Sequence, residues 1–313
     1  MMLIPITLEW GYLMITIMNK IDNIKKLILG SAQMGFDYGI NNINGKIDIN
    51  ESFEILKFAF LNGIKNIDCA EGYGNIHEIL GIFKQSNPEI DFYINTKLSS
   101  TNSKIDCRKK VKKILFSLKQ NKIQSIMFHS YSLYKENLDS IKDYHKMKEE
   151  GLIGSIGVSV YLNKEIKSLI HDDNIDLIQI PFNMLDNSKE KIDLIKEAKL
   201  NGKIIQARSV FLQGLFLKNP NDDNFIVKKL SNELNQLKSI SINNKVPIYA
   251  MAMNYVMSQD FIDYVIIGVD NLLQLKKNIV SLNKTLDKKI INQINSINTK
   301  NKSFLNPTNW EKV

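Results

Sequence analysis

The chain has 313 residues and a mass of 35.9 kDa, which suits one large domain or two ordinary ones. Hydrophobic residues make up 44% and charged residues 24%, a globular rather than a disordered composition. The two cysteines, Cys69 and Cys107, exclude a disulfide framework and a cysteine-rich zinc site. They predict a reducing, cytoplasmic location.

The net charge of +8 does not indicate a nucleic-acid partner. Only Arg108 and Arg208 are arginines among the 41 basic residues, whereas base readout and bidentate phosphate contacts favour arginine. Because no basic and aromatic recognition module is visible, we assign the excess lysines to solvated helix faces. No nucleic-acid partner is expected.

The N-terminal residues are apolar, but they do not predict a membrane span. Glu9 interrupts the run, which then falls short of the roughly 18 apolar residues that a span needs. A basic segment and a small-residue cleavage site, as in a signal peptide, are absent. We therefore expect no membrane partner, and we interpret residues 1–24 as a leader added by an upstream start codon, with Met14 or Met18 as the true start.

From residue 25 onward, short apolar runs alternate with longer amphipathic ones. Eight runs are apolar on both faces, as buried parallel strands are, at 26–29, 65–68, 92–97, 125–129, 154–158, 177–180, 204–207 and 264–268. Amphipathic patterns predict helices over 52–61, 108–118, 137–150, 164–171, 188–200 and 272–282. Eight such units predict a single-domain α/β fold, a (β/α)8 TIM barrel over residues 25–298.

The longest connection between strands spans residues 208–263 and holds two further helical patterns, near 225–242 and 247–257. Long loops of this kind lie over the active-site face of a barrel, so this one is a candidate lid or cofactor clamp. The polar tail 299–313 contains Pro307 and Trp310. It is expected either to be disordered or to fold back over the barrel mouth.

Ionisable residues end three consecutive predicted strands: Asp68 in IKNID, Lys97 in FYINTK and His129 in SIMFH. The carboxyl ends of parallel barrel strands share one rim, where barrels carry their chemistry. Tyr73 follows in a glycine-flanked loop that can reach the same rim. One such residue alone is most often a cap or a loop residue. Since Lys and Asp are rarely buried unless paired, the four together predict an active site.

The other histidines do not indicate a metal centre. His77, His145 and His171 show no metal-ligand spacing with one another or with His129. We interpret the three as surface residues and expect no metal.

The stretch NIDCAEGYGNIHEILG, residues 66–81, resembles the signature of the aldo/keto reductase superfamily: Asp-x-Ala, two residues, Tyr-Gly, then x-x-x-Glu-x-Leu-Gly. Further stretches resemble family segments in the same order along residues 27–282: INTK, MFHS, GLIGSIGVSV, IDLIQIPFNMLDN, QARSVFLQGLF and VIIGVDNLLQLKKNI.

The resemblance implies an NAD(P)H-dependent oxidoreductase that reduces a small-molecule aldehyde or ketone to an alcohol. Tyr73 would donate the proton, and Asp68, Lys97 and His129 would complete a catalytic tetrad. A lysinium near Tyr73 is expected to lower its pKa from the ordinary value of about 10. Asp68 would keep Lys97 charged, and His129 would orient the substrate carbonyl.

The resemblance also implies a set of cofactor-binding residues. Ser159 and Gln179 match positions that hold the nicotinamide carboxamide, whereas Val160 lacks the amide that many relatives have beside that serine. Arg208 stands where many relatives stack a tyrosine on the nicotinamide; the alternative is a salt bridge within the long connection. The other expected contacts are Gly30, Ser31, Ser209, Leu212, Gly214, Gly268, Asp270, Gln274 and Asn278.

Two residue patterns point to different forms of the cofactor, NADP(H) and NAD(H). Gly268 and Gln274 replace the Lys and Arg that some relatives place on the 2′-phosphate, but Gln274 with Asn278 occurs in branches that still use the phosphorylated cofactor. Asp270 lies nearby and Lys277 replaces a customary Glu. A carboxylate repels a phosphate and accepts from a free 2′-hydroxyl. We favour NADP(H), with NAD(H) as the alternative.

The segment LGSAQMGFDYGI, residues 29–40, would form part of the substrate rim. Gln33, Asp37 and Tyr38 make that rim polar, which favours a hydroxylated substrate such as a sugar derivative over a steroid or an aromatic aldehyde.

Two other functions stay open. One is a cofactor-binding regulatory subunit on the same fold with little turnover. The other is a barrel lyase or isomerase in which Lys97 forms a Schiff base.

Overall fold

A computed structural model describes residues 23–99, 106–282 and 285–312 of the chain. Most of the predicted leader, with Met14 and Met18, lies outside the described residues. Ile24, which we assigned to the leader, is buried in the apolar core of the barrel.

Eight parallel strands close into a barrel in chain order. Closure is made by β1, which pairs with both β2 and β8, so that Ile28 lies opposite Asn66 on one side and Ile266 on the other. The strands are β1 (Leu27–Gly30), β2 (Asn66–Asp68), β3 (Tyr93–Leu98), β4 (Ile123–Phe128), β5 (Ile153–Ser159), β6 (Leu177–Pro181), β7 (Ile204–Arg208) and β8 (Tyr264–Ile267). The predicted single-domain (β/α)8 TIM barrel is confirmed.

Helices cover the outside of the barrel. They are α1 (Ala32–Gly35), α2 (Ile49–Leu61), α3 (Ile76–Ser86), α4 (Cys107–Leu118), α5 (Tyr131–Glu136), α6 (Ile141–Glu149), α7 (Asn163–Leu169), α8 (Lys189–Leu200), α9 (Phe225–Lys229), α10 (Ser231–Asn243), α11 (Ile248–Met257), α12 (Leu272–Ser281) and α13 (Lys288–Asn295). The helix expected over 137–150 begins with a separate 3-10 turn, Leu138–Ser140, because Asn137 ends α5 just before it. The amphipathic patterns did not predict α1, α3, α5 and α13.

Side-chain caps set where several helices begin. Asp48 accepts hydrogen bonds from the amides of Asn50 and Glu51 at the start of α2. Ser188 caps α8 in the same way. Such a cap satisfies amides that have no partner within the helix and stabilises it by about 1 kcal/mol. The apolar face of α2, with Ile55 and Leu56 fully buried, then packs into the layer between strands and helices.

The long connection after β7 and the C-terminal tail both reach the barrel mouth. The connection contains a 3-10 segment, Leu212–Leu217, followed by α9, α10 and α11, so both predicted helical patterns are confirmed. In the tail, Pro307, Thr308 and Trp310 line the cavity at the mouth. The Trp310 indole donates to the carbonyl of Phe304 over 2.9 Å. Of the two expectations for the tail, folding back is the one observed.

Within the described ranges, every helix is too short or too polar to cross a membrane.

Candidate active site

A cavity of about 630 Å³ opens where the strands end, and it brings the four predicted catalytic side chains together. Asp68 is the last residue of β2, Lys97 the penultimate residue of β3, and His129 follows β4 directly. Tyr73 comes from the loop between β2 and α3. Parallel strands in a closed barrel therefore place on one rim residues that are up to 61 positions apart in the chain.

Lys97 and Asp68 form a buried ion pair with 2.5 Å between Nζ and Oδ2; their side chains are 1% and 5% exposed. Burial by itself lowers the pKa of Lys97, because it penalises the charged form. The attraction of Asp68 and the nearby Tyr73 hydroxyl outweighs burial, so the pKa lies above its ordinary value. Lys97 is thus a permanent ammonium at neutral pH.

Tyr73 lies beside this ammonium, whose Nζ is 5.2 Å from the centre of the tyrosine ring. The sequence predicted a lowered pKa for Tyr73, but the net direction is the opposite. Burial raises the pKa of the phenol, while the charge of Lys97 and its hydrogen bond act against that rise. The lysine has the predicted effect, but desolvation of the buried phenol is the larger one.

Close backbone packing holds the loop that carries Tyr73. A Cβ atom on Gly35 would lie 2.0 Å from the Tyr73 carbonyl oxygen, and one on Gly74 would lie 2.3 Å from the Gly35 oxygen. Glu71, two residues before Tyr73, accepts from the Ser99 amide over 2.9 Å and pairs with Lys110 over 2.8 Å. The segment after β1 and the end of β3 therefore fix the position of Tyr73.

His129 faces Tyr73 edge to face, with 6.0 Å between the ring centres. Burial lowers its pKa from 6.5 to about 4, and the positive charges of Lys97 and Arg208 add to this effect. The imidazole is therefore neutral at physiological pH. A neutral ring can donate one hydrogen bond to a carbonyl oxygen without adding charge to the site.

A buried polar network inside the barrel supports Asp68 from the side opposite Lys97. Gln179 donates to Asp68 Oδ1 over 2.8 Å and to Gln206 Oε1 over 3.1 Å. Asn95 accepts from Ser125 over 2.6 Å and from Gln206 over 3.4 Å. The apolar patterns of the strands did not predict Asn95, Ser125 and Gln206 as supporting residues. The available signal was a polar residue within each of three predicted buried strands.

The cavity also collects most of the residues expected to bind the cofactor. Those that line it are Gly30, Ser31, Ser159, Arg208, Ser209, Gly214, Gly268, Asp270 and Gln274. Gln179, Leu212 and Asn278 are buried and do not line it. The Ser31 hydroxyl donates to the Asp68 carbonyl over 2.8 Å, which ties the end of β1 to the end of β2.

Arg208 stacks on the ring of Tyr161, with 4.0 Å from its guanidinium carbon to the ring centre. Its Nε approaches Ser159 Oγ at 3.3 Å, and its Nη2 donates to the Val160 carbonyl over 3.1 Å. No carboxylate of the described residues forms an ion pair with it, so the alternative of a salt bridge within the long connection is wrong. A planar guanidinium stacks well on an aromatic ring.

Two features fit a nicotinamide dinucleotide. The segment from Ser209 to Gly214 holds four residues in the left-handed region: φ is 61° at Ser209, 47° at Leu212, 55° at Gln213 and 85° at Gly214. Left-handed turns can aim backbone amides at a phosphate. Here the Leu212 and Gly214 amides already donate to the Ser209 and Phe211 carbonyls, while Ser209, Gln213 and Gly214 line the cavity. Oε1 of Gln179 is buried and has no hydrogen-bond partner among the described residues. A nicotinamide carboxamide carries the donor that this oxygen lacks; Gln179 itself does not line the cavity, but Ser159, its register partner on β5, does.

His77 was expected on the surface, and that prediction is wrong. It is 8% exposed, and its Nε2 lies 2.8 Å from Thr96 Oγ1. The reason is that α3 turns this face towards β3, and Thr96 supplies the polar partner that a buried imidazole needs. His145 is half-buried and His171 is exposed.

Within the described ranges, His, Cys, Asp and Glu side chains form no group of three or more that could hold a metal ion.

The chain belongs to the aldo/keto reductase family, whose sequence model matches residues 26–299. Membership of this family makes it an NAD(P)H-dependent reductase. One relative, an uncharacterized oxidoreductase YqkF of Bacillus subtilis, is 24% identical over 83% of this chain and 92% of its own length. Another, the NADH-specific methylglyoxal reductase of Escherichia coli, is 22% identical over 78% of this chain and 86% of its own length.

Solved structures share the fold. The holo form of aldo-keto reductase AKR11C1 from Bacillus halodurans superposes with a TM-score of 0.70 at 19% identity, covering 86% of this chain and 90% of that one. A putative aldo-keto reductase from Pseudomonas aeruginosa gives a TM-score of 0.59 at 21% identity, covering 82% of this chain and 89% of that one. At these identities the likeness concerns the barrel fold.

Proposed function

We propose that this protein reduces the carbonyl group of a small hydroxylated aldehyde or ketone to an alcohol, with Tyr73 as the proton donor. The observation that carries the proposal is the convergence of Tyr73, the buried Lys97–Asp68 pair and a neutral His129 on one cavity. A bound nicotinamide cofactor supplies the hydride. The chain's own residues must then orient the carbonyl and deliver a proton to its oxygen.

Tyr73 acts at its hydroxyl, which gives its proton to the developing alkoxide. Lys97 stabilises the tyrosinate that remains, since an ammonium nearby favours the charged form of the phenol. Asp68 holds Lys97 in place through the 2.5 Å contact. The charge of Lys97 therefore lowers the pKa of Tyr73 and partly offsets the rise that burial causes.

His129 serves as a hydrogen-bond donor that orients the carbonyl oxygen towards Tyr73. Its pKa of about 4 keeps the ring neutral, so it is not the group that supplies the proton at pH 7. The raised pKa of Lys97 also argues against the Schiff-base alternative, because the amine must lose its proton before it can attack a carbonyl.

The residues that would hold the cofactor are those of the strand ends β5 to β8 and β1. Ser159 and Gln179 suit the carboxamide, and the left-handed segment from Ser209 to Gly214 suits the pyrophosphate. Arg208, stacked on Tyr161, presents a flat cationic surface beside Ser159.

The cavity wall supports a hydroxylated substrate. Polar side chains from three separate segments line it alongside aromatic rings: Asp37, Tyr38, Asn42, Gln213 and Thr308, with Phe36, Tyr161, Phe211 and Trp310. Amides, hydroxyls and a carboxylate can hydrogen-bond several hydroxyl groups, and rings can cover the apolar faces between them.

The test is Tyr73→Phe, which removes only the phenolic hydroxyl. We expect turnover with hydroxylated aldehydes to fall by about 10² to 10⁴-fold, the usual contribution of a positioned acid or base, while the cofactor dissociation constant stays within about threefold. Reduction at the parental rate would refute the assignment of the proton donor. If the parent binds the cofactor but reduces no carbonyl compound, the regulatory-subunit alternative replaces the reductase.

A further inference from the structure

Asp270, in the loop between β8 and α12, presents a carboxylate to the cavity that is held by neutral amides. Gln274 donates to Asp270 Oδ2 over 3.0 Å and accepts from the Asp270 amide over 2.8 Å. Gln33 lies 3.4 Å from the other carboxylate oxygen. The carboxylate is therefore oriented from two sides, yet its negative charge is not neutralised by these partners.

Gln33 reaches Asp270 across the junction of β1 and β8 because Gly268 leaves room for it. A Cβ atom on Gly268 would lie 2.8 Å from Gln33 Nε2. Gln33 is 8% exposed, so its amide lies within this junction and has little contact with solvent. The two residues that brace Asp270 thus come from separate ends of the barrel sequence.

The start of α12 would ordinarily attract a phosphate, but acidic and amide groups already occupy it. Glu51 Oε1 accepts from the Leu272 amide over 3.2 Å, and Asn271 Oδ1 accepts from the Gln274 amide over 2.9 Å. Glu51 is a second carboxylate at this helix start. A further anion at this helix start would meet two negative charges.

Cations that could offset this charge are placed elsewhere. Of the described residues that line the cavity, only Lys97 and Arg208 are lysine or arginine. Lys97 is paired with Asp68, and Arg208 is stacked on Tyr161. On α12 itself, Lys276 lies over the ring of Phe58, 5.4 Å from its centre, and Lys277 is exposed and does not line the cavity.

We propose that Asp270, positioned by Gln33 and Gln274, is a specificity-determining residue that makes the protein bind NADH in preference to NADPH. The inference rests on the proposed function, since it concerns the cofactor of that same site. The carboxylate accepts a hydrogen bond from the free 2′-hydroxyl of the adenosine ribose. It repels a 2′-phosphate, which carries charge of the same sign. This reverses the preference for NADP(H) that the motifs favoured.

The experiment is a titration of the full chain with NADH and with NADPH separately, at fixed ionic strength, following tryptophan fluorescence. Trp310 lines the cavity and serves as the reporter. We expect NADH to bind at least about tenfold more tightly than NADPH. In Asp270→Asn, which removes the charge and keeps the shape, NADPH should bind about tenfold more tightly than to the parent, while the constant for NADH changes by less than about threefold.

Two further variants separate charge at this position from other effects. Asp37→Asn removes another carboxylate from the lining of the same cavity, and the ratio of the two dissociation constants should stay at the parental value. Gln33→Leu removes one brace of Asp270 and should shift the ratio in the same direction as Asp270→Asn, but less. A merely structural role of Gln33 would weaken both cofactors equally and leave the ratio unchanged.

The outcomes distinguish this inference from the proposed function. If NADPH binds as tightly as NADH or more tightly, or if Asp270→Asn leaves the ratio unchanged, the role of Asp270 is wrong while the reductase proposal stands. If neither cofactor binds, the proposed function fails and the inference fails with it.

Discussion

The two ends of the cavity are built on different principles. At the tetrad end, Asp68 and Lys97 are buried strand residues, their charges cancel, and the Gln179 network fixes their orientation. At the dinucleotide end, left-handed loop backbone and a carboxylate held only by amides line the wall. Strands of a closed barrel hold reacting groups rigidly, whereas loops can change charge at little cost to the fold. We infer that chemistry is set at one end and cofactor choice at the other.

The largest effect is expected from disrupting the buried pair at the tetrad end. Lys97→Met removes the ammonium at similar length and leaves Asp68 buried without its ionic partner. We expect the free energy of unfolding to fall by about 3–5 kcal/mol and turnover to fall by at least about 10²-fold. Urea unfolding and steady-state rates measure the two effects.

A double variant separates stability from chemistry at the same pair. In Asp68→Asn with Lys97→Met no buried charge remains, so most of the lost stability should return while turnover stays low. A single Lys97→Met variant as stable as the parent would contradict the account of this pair.

The next effect concerns the placement of Tyr73 by the segment after β1. Gly35→Ala puts a methyl group 2.0 Å from the Tyr73 carbonyl oxygen, so the loop must shift. A displacement of about 1 Å can cost about 10²-fold in turnover. Cofactor affinity should change much less, because that contact lies on the Tyr73 loop.

Gly72→Ala is the matched control for this loop, since the nearest atom to its new Cβ, on Ser99, would be 4.0 Å away. Its turnover should stay within about threefold of the parental value. Equal loss in both variants would show that the loop tolerates no substitution at all, and the contact between Gly35 and Tyr73 would then explain nothing.

The smallest effect is a pH dependence of stability from His129. Its pKa is lowered from 6.5 to about 4 in the folded protein. As the pH falls from about 6.5 towards 4, the unfolded chain gains a proton that the folded one does not bind, so stability decreases with falling pH. Above pH 6.5 both forms are neutral and the effect vanishes.

Urea unfolding at several pH values between 7 and 4.5 measures this slope, and His129→Asn should make it shallower. Part of the slope should remain, because burial also lowers the pKa of His77. An unchanged slope in His129→Asn would mean that the pKa of His129 is the same in the folded and the unfolded protein.

Much of the fold and of the tetrad followed from local patterns. Eight apolar runs alternating with amphipathic ones allow few arrangements other than a barrel, and a polar residue at the end of such a run must lie on the rim. Asp68, Lys97 and His129 were found this way, and the Tyr73 loop came with them. The tail left two alternatives open, and the structure places its residues Pro307, Thr308 and Trp310 in the lining of the cavity.

Features that depend on contacts between distant residues did not follow from those patterns. The Gln33–Asp270 contact joins residues 237 positions apart, and Gly35 meets Tyr73 only because α1 packs beside the Tyr73 loop. The burial of His77 and the net direction of the Tyr73 pKa shift were likewise predicted wrongly. Each depends on how completely water is excluded, which is a property of the assembled molecule.

The sequence by itself determined the alternation of elements, the barrel and the residue types at its rim, because periodicity and strand-end position are local properties of the chain. Only the tertiary structure decided which charges are neutralised, which polar atoms lack a partner and what lies within reach of Asp270. Each of these properties depends on neighbouring residues from every part of the chain, and those residues come together only when the barrel closes.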